Sequence, residues 1–132
     1  MNSLQAPGLL IGRILLALIF IGSGFGKIMG FEGTAAHMAA AGLPMAKALL
    51  VPTIAIELGG GLMLAVGYKA RWAALAIFLF LIPATLVFHA FWSAAPEQVM
   101  MQTINFQKNL AIMGGMLYIV FCGPGRLSVD GA

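Results

Sequence analysis

The chain has 132 residues, of which 61% are hydrophobic and 8% charged, whereas soluble domains contain about 45–50% apolar and about 25% charged residues. This length allows one domain, and the composition excludes both an ordinary soluble enzyme and a disordered chain, since disordered chains are poor in hydrophobic residues. The net charge of +3 at pH 7 comes from Lys and Arg residues that form no basic run, so the sequence does not support nucleic-acid binding.

Four apolar stretches follow one another along the chain, and each is close to the roughly 20 residues that a transmembrane helix needs. They cover residues 9–28, 46–66, 72–91 and 102–121. We therefore predict an all-α fold, a four-helix transmembrane bundle that occupies residues 1–132 as a single domain. Four spans place both termini on one side, and the distribution of Lys and Arg favours the cytoplasmic side of a cell inner membrane.

The connections between these stretches contain turn residues. Between the first and second stretch, Thr34 can cap an Ala-rich segment that Gly42 and Pro44 end, which predicts a short surface helix between helices one and two. The connection over residues 67–71 is tight and predicts an antiparallel pair of helices. Pro96 suits the first turn of the last helix.

Ionisable side chains interrupt the apolar stretches, where a charge costs at least about 2.5–3.5 kcal/mol and needs a partner, a cavity or a role. They are Arg13, Lys27, Glu57, His89 and Lys108. At helical spacing each shares a stripe with small or polar residues of its own helix. Thr53 lies on the Glu57 stripe, and Thr85 lies one turn before His89. Every predicted helix therefore has one polar face.

The rise of about 1.5 Å per residue gives the depth of these groups in the membrane. It places Glu57 near the middle of the bilayer, with Arg13 about 6 Å deeper and Lys108 about 7 Å shallower. Either cation can then reach the carboxylate, while Lys27 and His89 lie near the outer mouth of a polar pocket. Three cations would face one carboxylate, so the pocket would need a further electronegative group from a quinone, an anionic substrate, a lipid phosphate or a partner subunit.

Structural roles are open for the same residues. Lys27 at a helix end can extend to the lipid headgroups. Arg13 and Glu57 can form a purely structural ion pair. His89 lies beside aromatic residues and can belong to an interfacial aromatic belt, and His37 is expected on the exposed side of the short helix.

The sequence offers few ligands for metals or redox cofactors. Its one cysteine, Cys122, allows no internal disulfide, no CxxC pair and no thiolate metal cage. His89 has no histidine on a facing helix, so we expect neither a haem nor a metal site, and no flavin motif is evident. Gly22 and Gly26 form a small-xxx-small pair that predicts close helix packing, in the bundle or between copies.

Six short phrases also occur in a fixed order along the chain. They are SGFGK at 23–27, AAAGLP at 39–44, IELGGG at 56–61, FHAFW at 88–92, QKNLAIMGG at 107–115 and GPGRLS at 123–128. Together with an Arg early in the first span, they resemble the DoxX family of bacterial and archaeal membrane proteins over nearly the whole chain. The resemblance implies a four-helix membrane fold and an association with quinone-linked redox systems. The residues it points to are Arg13, Lys27, Glu57, His89 and Lys108 with Asn109.

We therefore interpret the chain as a membrane-embedded component of a quinone-linked oxidoreductase. In this interpretation Lys108 and His89 donate hydrogen bonds to a quinone or a small anionic substrate, and Glu57 relays protons, so these three are the candidate catalytic residues. The candidate substrate-binding residues are Arg13, Lys27, Asn109, Thr53 and Thr85. Electrons would come from a redox partner protein or directly from the substrate.

An alternative from another class is a non-enzymatic membrane scaffold or a small-molecule transporter. Its buried charges would hold the bundle together, and its glycine-rich faces would contact membrane lipid, partners or further copies in a homo-oligomer. Whether the chain is an enzyme by itself is left open by the sequence.

Overall fold

The computed structural model describes residues 3–131, and that part of the chain is helical without strands. The α-helices are α1 (Gln5–Met29), α2 (Phe31–Ala40), α3 (Ala46–Ile54), α4 (Gly60–Val66), α5 (Ala70–Phe88) and α6 (Val99–Cys122). A π-helical turn over Ala55–Gly59 joins α3 to α4, so these segments form one continuous rod over residues 46–66. Short 3₁₀ turns at Phe91–Ser93 and Pro96–Gln98 lead into α6. The predicted all-α class is confirmed.

Three helical segments of the described chain are long and apolar enough to cross a membrane. They are Gln5–Met29, Ala46–Val66 and Ala70–Ser93. Their outward surfaces carry large apolar side chains such as Leu15, Leu18 and Trp72, which is the arrangement expected where lipid replaces water. The helix α6 is also 24 residues long, but its first half contains most of the polar residues of the helix.

The buried face of α1 follows the helical repeat. Its buried residues are Ala6, Arg13, Ala17, Phe20 and Gly24. Ala17 and Phe20 join Leu64, Ile77 and Met116 in one core, so α1, the α3–α4 rod, α5 and α6 all contribute side chains to it. α5 and α6 run antiparallel, because Arg71 at the start of α5 lies near the carbonyls at the end of α6.

The short predicted helix between the first two spans is present as α2, but Thr34 does not cap it. The helix begins earlier, at Phe31 directly after Gly30, and Thr34 lies inside it. Its end agrees with the prediction, because Gly42 has a φ of +92°, which favours glycine. Ala35 and Met38 of α2 pack on Leu50 of α3 in a small separate core.

The segment after α6 returns to the tight connection between α4 and α5. The backbone N–H groups of Val129 and Asp130 donate to the carbonyls of Val66 and Gly67 at 3.0 and 2.9 Å. The Asp130 carboxylate accepts hydrogen bonds from the N–H groups of Ala70 and Lys69 at the start of α5, and these two bonds hold its pKa below the ordinary value of 3.8. The end of the chain therefore caps a transmembrane helix.

Candidate functional site

A cavity of about 580 Å³ lies between α1, α2, the α3–α4 rod, α5 and α6. Most of its wall is apolar, with Phe20, Ile56, Leu81 and Phe88 among the lining side chains. Its polar lining residues are Ser23, Lys27, Thr34, His37, Thr53, Glu57, His89, Gln102 and Asn109. The volume falls within the usual range for small-molecule sites, which are also mostly apolar with a few placed polar groups.

Glu57 reaches this cavity from the π-helical turn. Pro52 lies three residues before this π-helical turn and has no N–H group, so it cannot donate the backbone hydrogen bond of an α-helix. The backbone then changes to π-helical hydrogen bonding over Ala55–Gly59. The side chain of Glu57 is buried, with the whole residue 4% exposed. Its Oε1 atom is buried and has no uncharged hydrogen-bond donor among the described residues, so its stabilisation depends on charge.

That charge comes from Lys27, whose Nζ lies 2.6 Å from Oε1 of Glu57. Lys27 Nζ also donates to Ser23 Oγ at 2.7 Å, which orients the ammonium group along α1. The expectation that Arg13 or Lys108 reaches Glu57 is therefore wrong, and Lys27 is the cation that pairs with it. Residue counts alone did not predict this pairing, because they do not fix how far neighbouring helices are offset along their axes.

Close packing of α1 on the rod makes this ion pair possible. A Cβ on Gly24 would lie 2.7 Å from the backbone N and 2.8 Å from the Cβ of Leu58, so only glycine fits there. The prediction that Gly22 and Gly26 pack closely against another helix of the same chain is wrong, because a Cβ at either position would have open space within 4 Å. The close approach between α1 and the α3–α4 rod occurs at Gly24, which lies between Gly22 and Gly26.

Arg13 has a different environment from the one predicted. Its guanidinium is buried near the other end of the bundle and donates to the backbone carbonyls of Ala65 at 3.2 Å, Leu127 at 2.8 Å and Pro124. These carbonyls belong to α4 and to the segment after α6. Arg13 is thus outside the cavity lining, and its contacts join three parts of the chain.

Lys108 and Asn109 lie next to each other on α6 but face different ways. Lys108 is exposed and is not among the residues that line the cavity. Asn109 is buried, lines the cavity and donates through Nδ2 to Thr85 Oγ1 at 3.0 Å. Thr85 is buried behind Asn109 rather than in the lining. Adjacent helical residues point about 100° apart, so the polar face of α6 was predicted one residue out of phase.

The cavity mouth contains both histidines. His89 Nδ1 lies 2.8 Å from Oε1 of Gln102 on α6. His37 is exposed, as expected, and its ring stacks on Phe88 with centroids 5.5 Å apart. Thr53 also lines the cavity, although its hydroxyl donates to the Leu49 carbonyl of its own helix at 2.9 Å. The helix α2 therefore covers part of the mouth.

Gln102 is a lining residue that the sequence reasoning did not assign to the site. It precedes Asn109 by seven residues, which is two helical turns, so both side chains lie on one face of α6. That spacing was a signal that could have identified it. Among the described lining residues, the formally charged pair is Lys27 and Glu57, so the cavity has no excess positive charge apart from histidine protonation.

The sequence profile of the DoxX family matches residues 8–90. Inner membrane protein YqjF of Escherichia coli is 38% identical over 98% of this chain and 95% of that protein. Inner membrane protein YphA of the same organism is 34% identical over 92% of this chain and 87% of that protein. These relatives support an inner membrane location for proteins of this kind.

More distant similarity extends to eukaryotes. A Surfeit locus protein 4 homolog of Schizosaccharomyces pombe is 31% identical over 92% of this chain but only 36% of that protein. No solved structure matches the chain. Since the family profile covers more than half of the residues and two inner membrane relatives match over most of their length, the chain belongs to the DoxX family of membrane proteins.

Proposed function

We propose that the chain is the membrane-embedded, quinone-binding component of an oxidoreductase and that the quinone head group binds in the cavity beside Lys27 and Glu57. The observation that carries this proposal is the ion pair between the buried Glu57 and the partly buried Lys27 in the wall of a mostly apolar cavity. A buried charge pair is costly to desolvate, and replacing it by apolar residues is often neutral or stabilising. The ion pair between Lys27 and Glu57 lines a cavity instead of being enclosed by closely packed side chains, which favours a role in ligand binding.

The cavity residues fit a quinone in both polarity and size. Lys27 and Asn109 can donate hydrogen bonds to a carbonyl oxygen, and apolar residues such as Phe80 and Val87 can pack against a ring or an isoprenoid tail. A bound quinone would supply two-electron chemistry coupled to protons. Glu57 and His89 also line the cavity, and both can accept a proton there.

The charge of the lining favours a neutral ligand over a small anionic substrate. Arg13 donates to backbone carbonyls elsewhere, and Lys108 is exposed outside the lining. Lys27 is already compensated by Glu57 at 2.6 Å. An anion would therefore meet a carboxylate together with the single ammonium group, whereas a neutral carbonyl can accept from Lys27 without displacing Glu57.

The proposal includes a redox partner protein and four membrane spans. α6 runs along α5: Asn109 in the middle of α6 donates to Thr85 near the end of α5, and Arg71 at the start of α5 lies near the last carbonyls of α6. A helix of 24 residues rises about 36 Å, which is enough to cross the hydrocarbon core. With α6 as the fourth span, both termini lie on one side of the membrane, and the distribution of Lys and Arg favours the cytoplasm for that side.

A reporter fused after the last residue tests this topology. We expect a C-terminal green fluorescent protein to be fluorescent and a C-terminal alkaline phosphatase to be inactive in cells, because the first folds in the cytoplasm and the second in the periplasm. Fusion of each reporter at Gly33, in α2, should give the reverse pattern. Active phosphatase at the C terminus would exclude the fourth span.

Binding of a short-chain quinone tests the function. We expect the purified wild-type protein in nanodiscs to bind decylubiquinone, and the double variant Lys27→Met/Glu57→Gln to bind it about 10- to 100-fold more weakly, because a hydrogen bond from a charged donor contributes about 1.5–3 kcal/mol. Changing both residues avoids leaving one buried charge unpaired. Titration calorimetry gives the affinities, and thermal unfolding checks that each variant is folded.

The matched control is Lys108→Met, which removes a cation of the same type from the exposed side of α6. Its affinity should stay within about twofold of the wild type, since the Lys108 side chain is exposed and does not line the cavity. If wild-type protein fails to bind the quinone, or the double variant binds it equally well while Lys108→Met loses binding, the proposal is wrong. A stability loss in the double variant without any change in affinity would favour the scaffold alternative.

A further inference from the structure

We infer that the cavity binds the hydroquinone form of its ligand more tightly than the quinone form, and that Gln102 produces this preference by orienting His89. The inference rests on the proposed function and names the redox form that the site recognises. It follows from the hydrogen-bonding capacities of three lining side chains, namely His89, Gln102 and Lys27.

The contact with Gln102 fixes the position of the proton on His89. Its Nδ1 lies 2.8 Å from the amide oxygen of Gln102, and an amide oxygen can only accept a hydrogen bond. With this oxygen facing the ring, Nδ1 is the imidazole nitrogen that carries the proton. A neutral imidazole has one N–H group, so Nε2 then has a lone pair and is an acceptor.

The acceptor character of Nε2 determines which ligand oxygen it can bind. Among the described residues, Nδ1 of His89 has a hydrogen-bond partner, while none is found for Nε2, although the ring lines the cavity. A quinone oxygen is only an acceptor, so two lone pairs would face each other there. A hydroquinone hydroxyl can donate to Nε2 and satisfy it.

Lys27 needs a hydrogen-bond acceptor on the ligand, whereas Nε2 of His89 needs a donor. Its ammonium has three N–H groups and no lone pair, and it contacts Ser23 Oγ and Glu57 Oε1. Its remaining N–H group can donate to a ligand oxygen of either redox form. A hydroquinone satisfies both Lys27 and His89, because each hydroxyl both donates and accepts, whereas a quinone satisfies only Lys27.

The tautomer of His89 can be measured without a ligand. The chain has two histidines, so ¹⁵N-histidine labelling gives two imidazole spin systems, and the variant His37→Gln identifies the one from His89. At about pH 8, where imidazoles are ordinarily neutral, we expect the shifts of a protonated Nδ1 and an unprotonated Nε2. Gln102→Leu should move His89 toward the other tautomer. Finding Nε2 protonated in the wild type would overturn the inference.

The affinity ratio of the two redox forms tests the preference itself. We expect decylubiquinol to bind the wild-type protein about tenfold more tightly than decylubiquinone under anaerobic conditions, since one further acceptor is satisfied. Gln102→Leu should bring the ratio close to one. The control Gln107→Leu changes the same residue type at an exposed position of α6 and should leave the ratio unchanged.

The outcomes separate this inference from the proposed function. If neither redox form binds, the proposed function fails and the inference fails with it. If both forms bind with equal affinity, or the quinone binds more tightly, the proposed function stands and the inference is wrong. If Gln102→Leu and Gln107→Leu change the ratio equally, the role assigned to Gln102 is wrong.

Discussion

Replacing Arg13 by methionine is expected to release the segment after α6 and to lower the stability of the whole protein. The guanidinium is buried, the residue being 3% exposed, and donates to the carbonyls of Ala65, Pro124 and Leu127. Methionine has similar length but no donor, so these carbonyls lose their partner, and each buried unsatisfied group costs about 1–3 kcal/mol. We expect a loss of about 3 kcal/mol or more, or a decrease in Tm on the order of 10 °C.

Thermal unfolding in detergent measures the loss of stability in Arg13→Met. The rate of trypsin cleavage shows whether the segment after α6 is released. Arg126 is exposed in the segment that Arg13 fastens, so cleavage after it should be slow in the wild type and fast in Arg13→Met. Arg126→Met is the matched control, because it removes an exposed arginine from the same segment and should leave Tm unchanged. Equal Tm values for Arg13→Met and the wild type would show that these hydrogen bonds contribute little.

The variant Arg13→Lys separates the contribution of the positive charge from that of the hydrogen bonds of the guanidinium group. A lysine keeps the positive charge but carries one compact ammonium group instead of the planar fork that donates to carbonyls of two segments. We expect it to recover less than half of the lost stability. Full recovery would mean that charge alone, for example toward Asp130, accounts for the effect of Arg13.

Alanine at Gly24 is expected to separate α1 from the α3–α4 rod and to disrupt the cavity. The added Cβ would lie 2.7 Å from the backbone N and 2.8 Å from the Cβ of Leu58, and neither atom can move without shifting the rod. Overpacking of this kind costs about 1–3 kcal/mol. Because Lys27 lies one turn after Gly24, the shift should also lengthen its contact with Glu57 and weaken quinone binding.

Gly26→Ala and Gly22→Ala are the controls on the same helix. A Cβ added at either position would have open space within 4 Å, so alanine should leave Tm unchanged or raise it, since glycine in a helix is less favourable than alanine by about 0.5–1 kcal/mol. Thermal unfolding and decylubiquinone titration on the three variants measure both effects. A Gly24→Ala protein as stable as Gly26→Ala would contradict the close approach seen between α1 and Leu58.

The order of the helical segments was predictable, because it follows from hydropathy along the chain. The stretch predicted over residues 46–66 is confirmed as the α3–α4 rod, and Gly42 ends the short helix as expected. The π-helical turn inside the rod was not predicted. Pro52 gave a signal for an irregular helix, but the change from one hydrogen-bonding register to another depends on the neighbours that pack around it.

The individual partners of the charged residues were much less predictable. A helical stripe shows which residues share a face, but it does not give the rotation or the axial offset of one helix against the next. Lys108 and Asn109 were therefore both placed in the pocket, although of these two neighbours only Asn109 lines it. Arg13 was paired with Glu57, because every residue has a backbone carbonyl and the sequence therefore cannot show that Arg13 donates to the carbonyls of Pro124 and Leu127.

Composition, hydropathy and short phrases alone determined that this chain is an all-α membrane protein of the DoxX family, because these properties depend on residue type and order. They also identified the ionisable residues that interrupt the apolar stretches, namely Arg13, Lys27, Glu57, His89 and Lys108. Only the tertiary structure decided that Lys27 pairs with Glu57, that Arg13 fastens the segment after α6 and that Gln102 faces His89. These contacts join residues far apart in the chain, and their distances depend on helix rotation, helix offset and close packing at Gly24.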